Sequence, residues 1–243
     1  MQISKFSLFL ISLFSTAVLC ACDSETEIET ANNDTADVLV FGGGDHHDFS
    51  RWFHAEDSTI IAGTGADVQY TDDPQSALQN LSEADIFVKS SNQVIDIPEY
   101  SENLISYVNE GNGLILLHAA TWFIWDWPDY YSQLIGGGTS SHGPLGEFEV
   151  YLTDTDHPLT QNMPERFSIT DELYRFQRND DGAEMHVLAM GVEPDTGDEY
   201  PVIWVVEQGD GRVLNITLGH DGDAHQHEAF ITLLENSIEW LSE

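Results

Sequence analysis

The chain has 243 residues, of which 41% are hydrophobic, and its 43 acidic and 7 basic residues give a formal net charge of −36 at pH 7. This content suffices for one sizeable core, and no change of composition indicates a second folded domain. The charge excludes binding to nucleic acid or anionic lipid through basic patches, because an acidic surface repels phosphate groups. The acidic excess indicates a solvated surface suited to a salty habitat, with cation binding as the alternative.

The first 21 residues predict an export signal. A positive charge at Lys5 is followed by an apolar run that is short for a membrane span. The run ends in LCAC, which resembles a bacterial lipobox and predicts that Cys22 is lipidated and becomes the first mature residue. We therefore expect an exported protein held at a bacterial membrane by the lipid alone, on the periplasmic or cell-surface side. An ordinary cleaved signal is the alternative.

Residues 22–36 are polar, acidic and without periodicity, which predicts a disordered tether between the lipid anchor and a folded domain over residues 37–243. Cys20 and Cys22 are the only cysteines of the chain. The folded domain therefore has no thiol for a disulfide, a zinc-thiolate site or a cysteine nucleophile.

The first half of the domain alternates strand-like and helical patterns. Because each apolar run is followed by a helical pattern, the sequence predicts repeated β-α units with parallel strands. Pro98 and Gly111 are typical of the start and the end of one of the helices. The predicted strands cover residues 37–42, 67–72, 84–90 and 113–120, and the predicted helices cover 74–83, 98–111 and 128–137, with a further possible helix after the first strand.

The second half changes to strands joined by short connections, such as Gly209 to Gly211, before a closing helix. The fold predicted from this order is an α/β, doubly wound, mostly parallel sheet with added antiparallel strands. Ligands of such folds bind beyond the carboxyl ends of the parallel strands. The strands are predicted over residues 146–154, 186–193, 200–208 and 212–220, and the helix, with apolar residues at helical spacing, over 228–241.

Histidines follow three of the predicted strands. His46 and His47 come after the first strand, His118 ends the fourth, and His220 ends the last, next to Asp221. A single histidine at a strand end is usually a satisfied polar residue. Because the carboxyl ends of parallel strands meet at one edge of the sheet, their shared position predicts a functional site.

Aromatic and carboxylate side chains extend this predicted site. Trp122 leads an aromatic segment directly after His118, and aromatic faces pack well on sugar rings, although most of the segment is expected to cover the sheet. His142 lies in a glycine-rich loop. Asp171 and Glu172 could orient imidazoles or transfer protons, with surface charge as the alternative.

Other histidines are expected to have no role in the site. His225 and His227 are two positions apart, and on a helix such side chains point about 200° apart, so they cannot hold one ion together. His157 is interpreted as a structural turn residue and His186 as a strand-edge residue. The sequence also lacks the G-x-S-x-G, G-x-x-x-x-G-K, H-E-x-x-H and complete G-x-G-x-x-G motifs, which disfavours hydrolase elbows, nucleotide loops and zincin helices.

The order of motifs resembles the ThuA-like (trehalose utilisation) family of the class I glutamine amidotransferase-like superfamily. The matching segments run from Asp37 to Leu241 and include VLVFGGGDHHDF, GLILLHAA, LIGGGTSSHG, DHPLTQNMPERFSITDELYRF and GRVLNITLGH. The resemblance implies a flavodoxin-like sheet and a carbohydrate substrate, with family members linked to keto-type sugars. His118 stands where amidotransferase relatives have cysteine, so glutamine hydrolysis is not expected.

Two functions follow as alternatives. The first is an enzyme that transfers protons on a sugar or keto-sugar, and the second is a non-catalytic carbohydrate-binding surface lipoprotein. A divalent metal at His118, His142, His220 and Glu172 is possible, although the histidines could equally form hydrogen bonds without an ion. The predicted catalytic residues are His118, Asp171, Glu172 and His220, and the predicted substrate contacts are His47, Trp122, His142 and Tyr174.

Overall fold

A computed structural model describes residues 35–243 of the chain. The predicted leader, the lipidated Cys22 and almost all of the predicted tether lie outside the described residues. The first strand begins at Asp37, where the folded domain was expected to start.

The strands of the described part follow the predicted order with three additions. The additions are β5, β7 and β8, of which β5 and β8 are two-residue strands that pair with each other. The strands are β1 (Asp37–Phe41), β2 (Asp67–Thr71), β3 (Ile86–Lys89), β4 (Gly113–Leu117), β5 (Gly137–Gly138), β6 (Gly146–Leu152), β7 (Arg166–Asp171), β8 (Gln177–Arg178), β9 (His186–Val192), β10 (Glu199–Gln208) and β11 (Gly211–Ile216).

The helices include two that differ from the predicted form. The segment after β1 forms a π-helical stretch, Ser50–Asp57, that continues into α1, and α4 continues into a π-helical stretch, Tyr131–Ile135. Short 3₁₀ turns cover Leu81–Glu83, His118–Thr121 and Pro158–Thr160. The α-helices are α1 (Ser58–Gly63), α2 (Pro74–Asn80), α3 (Tyr100–Asn109), α4 (Pro128–Tyr130), α5 (Gly222–His225) and α6 (Glu228–Leu241).

Nine strands form one mixed sheet in the order β2-β1-β3-β4-β11-β10-β9-β6-β7. The five strands from β2 to β11 are parallel, and the four that follow are antiparallel to their neighbours. The predicted doubly wound α/β sheet with added antiparallel strands is therefore confirmed. The parallel half places the ends of β1, β4 and β11 along one edge of the sheet.

The inner parallel strands β1, β3, β4 and β11 are largely buried on both faces because helices cover each side, whereas the outer strand β2 is partly exposed. In β4, Ile115 and Leu117 belong to a core with Phe53 and with Leu233 of α6, while Leu114 and Leu116 face the opposite core around α3. Alternate residues of a strand point to opposite faces, so a continuous apolar run fills both cores at once. The packing on both faces holds the strands in place, and so it also holds the positions of their carboxyl ends.

Capping explains where two of the helices begin. The side chain of Asp73 accepts a hydrogen bond from the backbone N–H of Ser76 at 2.8 Å, and Pro74 follows at the first helical position of α2. The ring of His227 caps α6 by accepting from the N–H of Ala229 at 3.2 Å. Within residues 35–243 no helix combines the length and the apolar character that crossing a membrane requires.

Candidate functional site

The corner after β4 carries His118 in a strained backbone conformation. Its φ of 46° lies in the left-handed region, which costs a residue other than glycine about 1 kcal/mol. A similar strand-to-helix corner exposes the nucleophile in many α/β hydrolases. Here the imidazole is instead fully buried, and the hydroxyl of Thr121 donates to the backbone oxygen of His118 at 2.9 Å. The corner turns the histidine toward the inside of the protein.

Both ring nitrogens of His118 have partners. Nδ1 lies 2.6 Å from the backbone oxygen of Thr217, so this nitrogen carries the ring hydrogen and donates a hydrogen bond to that oxygen. Nε2 then accepts a hydrogen bond from the hydroxyl of Tyr174 at 2.9 Å. Burial lowers the pKa of His118 well below its usual value and raises the pKa of Tyr174 well above its own. The pair is therefore neutral at physiological pH.

His47 and His220 complete a cluster of three imidazoles with His118, which we call the histidine triad. The ring centroid of His47 lies 4.9 Å from that of His118 and 4.9 Å from that of His220. Nδ1 of His47 lies 3.2 Å from the backbone oxygen of Asp45, whereas its buried Nε2 has no hydrogen-bond partner among the described residues. Burial lowers the pKa of His47 to about 4, so this ring is neutral.

Glu172 lies between two histidines at the wall of the site. Its Oε2 is 3.1 Å from Nδ1 of His220, and its Oε1 is 3.5 Å from Nδ1 of His142. The contact between Glu172 and His220 is short but poorly aligned for a hydrogen bond. Nδ1 of His142 lies closer to the backbone oxygen of Gly143, at 2.6 Å, than to Glu172. Burial alone would raise the pKa of Glu172, but the neighbouring histidines outweigh it and hold this pKa below its usual value. Glu172 is therefore an ionised base.

Asp171 occupies a different place from its neighbour in sequence. It is fully buried and does not line the pocket. Its Oδ2 accepts from the N–H of Gly219 at 2.7 Å, and its Oδ1 accepts from the N–H groups of Glu172 at 2.7 Å and His220 at 3.1 Å. Burial raises the pKa of Asp171 to about 6 in spite of these three donors. Its geometry is that of a residue that positions Glu172 and His220.

A buried ion pair behind the site involves two residues that the sequence did not indicate. Nδ1 of His225 lies 2.6 Å from Oδ1 of Asp57, and Nε2 lies 3.0 Å from the backbone oxygen of Gly219. Burial alone would lower the pKa of His225, but Asp57 raises it, and both ring nitrogens face acceptors. Burial also raises the pKa of Asp57, which opposes its ionisation, but in either protonation state of the pair Nε2 of His225 donates to the carbonyl of Gly219. Asp171 holds the N–H of the same residue.

The site opens into a pocket of about 660 Å³ at the predicted edge of the sheet. Trp122 forms one wall, with its ring centroid 5.2 Å from that of Tyr174 and 5.6 Å from that of His142. An isolated β-bridge joins His142 to Tyr174 and brings the glycine-rich loop over the strand ends. The pocket is lined by Asp45, His46, His47, Asn92, Ala119, Trp122, Ile124, His142, Glu172, Tyr174 and His220.

The predicted site residues thus meet in one region but divide into two layers. His47, Trp122, His142, Glu172, Tyr174 and His220 line the pocket, whereas His118 and Asp171 lie beneath it. Chain order could place the strand ends, but the depth of each side chain depends on backbone conformation at single residues. Asp57 and His225 come from distant segments of the chain, and no sequence pattern indicates that they pair.

Lys89, at the end of β3, is a further buried group close to the site. Its side chain is fully buried, and its Nζ lies 3.6 Å from the ring centroid of Trp125 and 3.4 Å from the backbone oxygen of Ser91. The aromatic face favours the charged form, yet burial prevails and lowers the pKa of Lys89 well below its usual value.

Comparison with known proteins gives a family match and several structural neighbours. The family model described as ThuA, trehalose utilisation, matches residues 37–241. A ThuA-like protein of Parabacteroides merdae has a TM-score of 0.75 and 22% identity, over 86% of this chain and 90% of the other. A ThuA-like protein of Bacteroides uniformis has a TM-score of 0.71 and 20% identity, over 87% and 94%.

More distant neighbours share the fold alone. A β-galactosidase of Bacillus circulans has a TM-score of 0.58 and 13% identity, over 85% of this chain and 31% of the other. No curated protein matches the sequence.

Proposed function

The chain belongs to the ThuA family, and we propose that it acts on a sugar or keto-sugar by transferring protons between the substrate and the Glu172 carboxylate. The observation that carries the proposal is the place of Glu172 on the wall of the pocket that Trp122 also lines, between His142 and His220. An ionised carboxylate in a partly enclosed pocket can remove a proton from the carbon next to a ketone. The description of the family as one of trehalose utilisation supports a carbohydrate substrate.

The surrounding groups have complementary parts in this proposal. Trp122 offers an aromatic face to a sugar ring, and His142 and His220 keep the carboxylate of Glu172 charged and oriented. The hydroxyl of Tyr174 donates a hydrogen bond to His118, so the oxygen of Tyr174 can still accept a hydrogen bond from a sugar hydroxyl. Buried beneath the pocket floor, His118 acts by fixing Tyr174. The absence of cysteine from the folded domain supports a reaction other than glutamine hydrolysis.

Proton transfer is tested by hydrogen exchange in D₂O. We expect the protein to incorporate deuterium next to the carbonyl of at least one member of a keto-disaccharide and keto-monosaccharide panel, followed by NMR. Glu172→Gln should lower the rate of exchange by about 10²-fold or more and still bind the sugar in calorimetry, because the amide keeps the shape but not the base. Exchange that persists at the parent rate in Glu172→Gln would remove this residue from the role.

A non-catalytic sugar-binding lipoprotein is the competing function, and the same pocket would serve it. The wall formed by Trp122 favours capture of a ring without requiring chemistry. Binding of a sugar with no exchange or conversion anywhere in the panel would establish this alternative and contradict the proposed enzyme.

We also propose that the protein is exported and lipidated at Cys22. The support is the LCAC sequence after the apolar leader and the acidic segment that separates it from β1. Cys22→Ser should release the protein from the membrane fraction, because the thioether to the lipid needs the thiol. Unchanged partition into detergent would contradict lipidation.

A further inference from the structure

We infer that the histidine triad of His47, His118 and His220 is a binding site for a divalent transition ion, with Zn²⁺ as the best match. Each residue offers one ring nitrogen, and the three nitrogens lie within 4.8 Å of one another. Neutral imidazole is the preferred protein ligand of zinc after thiolate, and three such ligands with an open position are typical of catalytic zinc sites. The inference extends the proposed function by naming what would polarise the sugar oxygen, but ion binding itself does not depend on turnover.

The second ring nitrogen of each histidine faces an oxygen. Nδ1 of His47 faces the backbone oxygen of Asp45 at 3.2 Å, and Nδ1 of His118 donates to that of Thr217 at 2.6 Å. Nδ1 of His220 lies 3.1 Å from the carboxylate of Glu172. Metal-binding histidines are held by such acceptors, because a hydrogen bond from one nitrogen fixes the tautomer and presents the lone pair of the other. The contact of His220 becomes such a bond only if its ring realigns toward Glu172.

The buried Nε2 of His47 gives an independent reason to expect an ion. It has no hydrogen-bond partner among the described residues, although buried polar atoms in proteins are almost always paired. Aromatic packing of the three rings would not require an unpaired nitrogen to turn inward. An ion shared with His118 and His220 would satisfy it.

The three ligand nitrogens, which lie within 4.8 Å of one another, must move closer together to hold the ion. Tetrahedral zinc with bonds of about 2.0–2.1 Å places its ligand nitrogens roughly 3.4 Å apart. His118 is fixed by its corner, and Asp171 holds the backbone N–H of His220. The approach therefore falls to the loop that carries His47, which follows three glycines, and to rotation of the His220 ring. The ion takes the lone pair of His118 Nε2 that otherwise accepts from the hydroxyl of Tyr174, so with the ion bound His118 is a ligand and no longer fixes Tyr174. Removing that hydroxyl should therefore leave zinc binding intact or strengthen it.

The test measures zinc directly. The full chain is prepared without an affinity tag and with Cys20 and Cys22 replaced by serine, so that no thiol competes for the ion. After dialysis against Zn²⁺ at high ionic strength, which weakens binding to the acidic surface, we expect about one ion per chain by elemental analysis. Co²⁺ in its place should give the visible absorption of a four-coordinate site.

Variants then assign the ligands. His47→Ala and His220→Ala should each weaken Zn²⁺ binding by 100-fold or more. Because these two positions are partly exposed, both variants can test the site even if His118→Ala, at a buried position, fails to fold. His142→Ala, in the same pocket but outside the triad, and Tyr174→Phe should keep the ion. A parent that binds no zinc, or equal binding by the parent, His47→Ala and His220→Ala, would overturn the inference, whether or not sugar exchange is observed.

Discussion

The two edges of the sheet each hold histidines beside carboxylates, yet they differ in chemistry. The pocket at the carboxyl ends of the parallel strands measures about 660 Å³, and a cavity near the opposite ends, lined by His157, His186, Glu184, Glu207 and Arg212, measures about 620 Å³. At the opposite edge the ring of His157 is used to accept from the N–H of Leu159, and the exposed ring of His186 pairs with Asp154. Burial and the direction of the ring nitrogens therefore distinguish a functional site from a surface cluster of the same residue types.

The largest expected difference between the two edges is in proton transfer. Glu172→Gln should lower deuterium exchange into the keto-sugar by about 10²- to 10⁴-fold, the range expected for loss of a general base. Glu207→Gln, at the opposite cavity, is the matched control and should leave the rate unchanged. Equal losses in both variants would mean that the comparison of the two edges is wrong.

The buried and the exposed histidine–aspartate pairs should differ in stability. His225→Ala leaves the Asp57 carboxylate buried without its cation, which should cost about 3–5 kcal/mol of unfolding free energy. His186→Ala breaks the exposed pair with Asp154 and should cost less than about 1 kcal/mol. Urea denaturation of both variants measures the difference, and similar costs would show that burial does not separate the pairs.

The stability of the protein should depend on pH through Lys89, which lies at the pocket end of β3. Burial lowers the pKa of Lys89 in the folded state. At pH values between this lowered pKa and 10.5, Lys89 is therefore protonated in the unfolded chain and neutral in the folded chain. The unfolding free energy should therefore rise with pH across this window. Lys89→Met removes the cost and should stabilise the protein at pH 7 by more than about 1 kcal/mol.

The gain from Lys89→Met should shrink as pH approaches 10, where lysine is increasingly neutral in the unfolded chain as well. Arg212→Met, at the opposite edge, is the control and should give no gain at pH 7, because Arg212 is partly exposed and its guanidinium donates to the backbone oxygen of Trp240 at 2.6 Å. Melting curves at pH 7 and pH 10 make the measurement. A gain in Lys89→Met that stays constant with pH would contradict a neutral Lys89.

The smallest effect should be shared by both edges, since it arises from the acidic surface as a whole. With a formal charge of −36, the protein should gain a few °C in melting temperature from low to high NaCl as carboxylate repulsion is screened. Calorimetry over a salt series measures this shift. A melting temperature that stays flat or falls would contradict the predicted salt adaptation.

Much of the fold was predictable because it depends on local patterns. The closing helix was predicted over residues 228–241 and is found at Glu228–Leu241, and the strands around the parallel half match within a few residues. β7 was not predicted as a strand, since its six residues mix exposed and buried positions and gain their order from pairing with β6. The π-helical stretches were also missed, because helical spacing does not distinguish them from α-helix.

The sequence could group most of the residues that line the candidate site, but it could not arrange them. Topology brings the ends of β1, β4 and β11 together, so the histidines after them could be grouped from the sequence. The sequence placed His142 and Glu172 with His118 and His220 as possible metal ligands, whereas the structure groups His47 with the latter two. Whether His47 or His142 joins the cluster depends on the path of the loop after β1, which begins at Gly42. No local sequence pattern determines that path.

The hydrogen bonds of Asp171 have a consequence for how this pocket could diversify. One carboxylate holds the backbone of both Glu172 and His220, so the spacing between these two side chains is set from below and not by the groups that surround a substrate. Trp122, Ile124 and His46 come from other segments and line the pocket without touching that carboxylate's bonds. Substitutions at these three positions could therefore redirect the choice of sugar while the reactive pair keeps its geometry, which makes them the natural positions for a library in directed evolution.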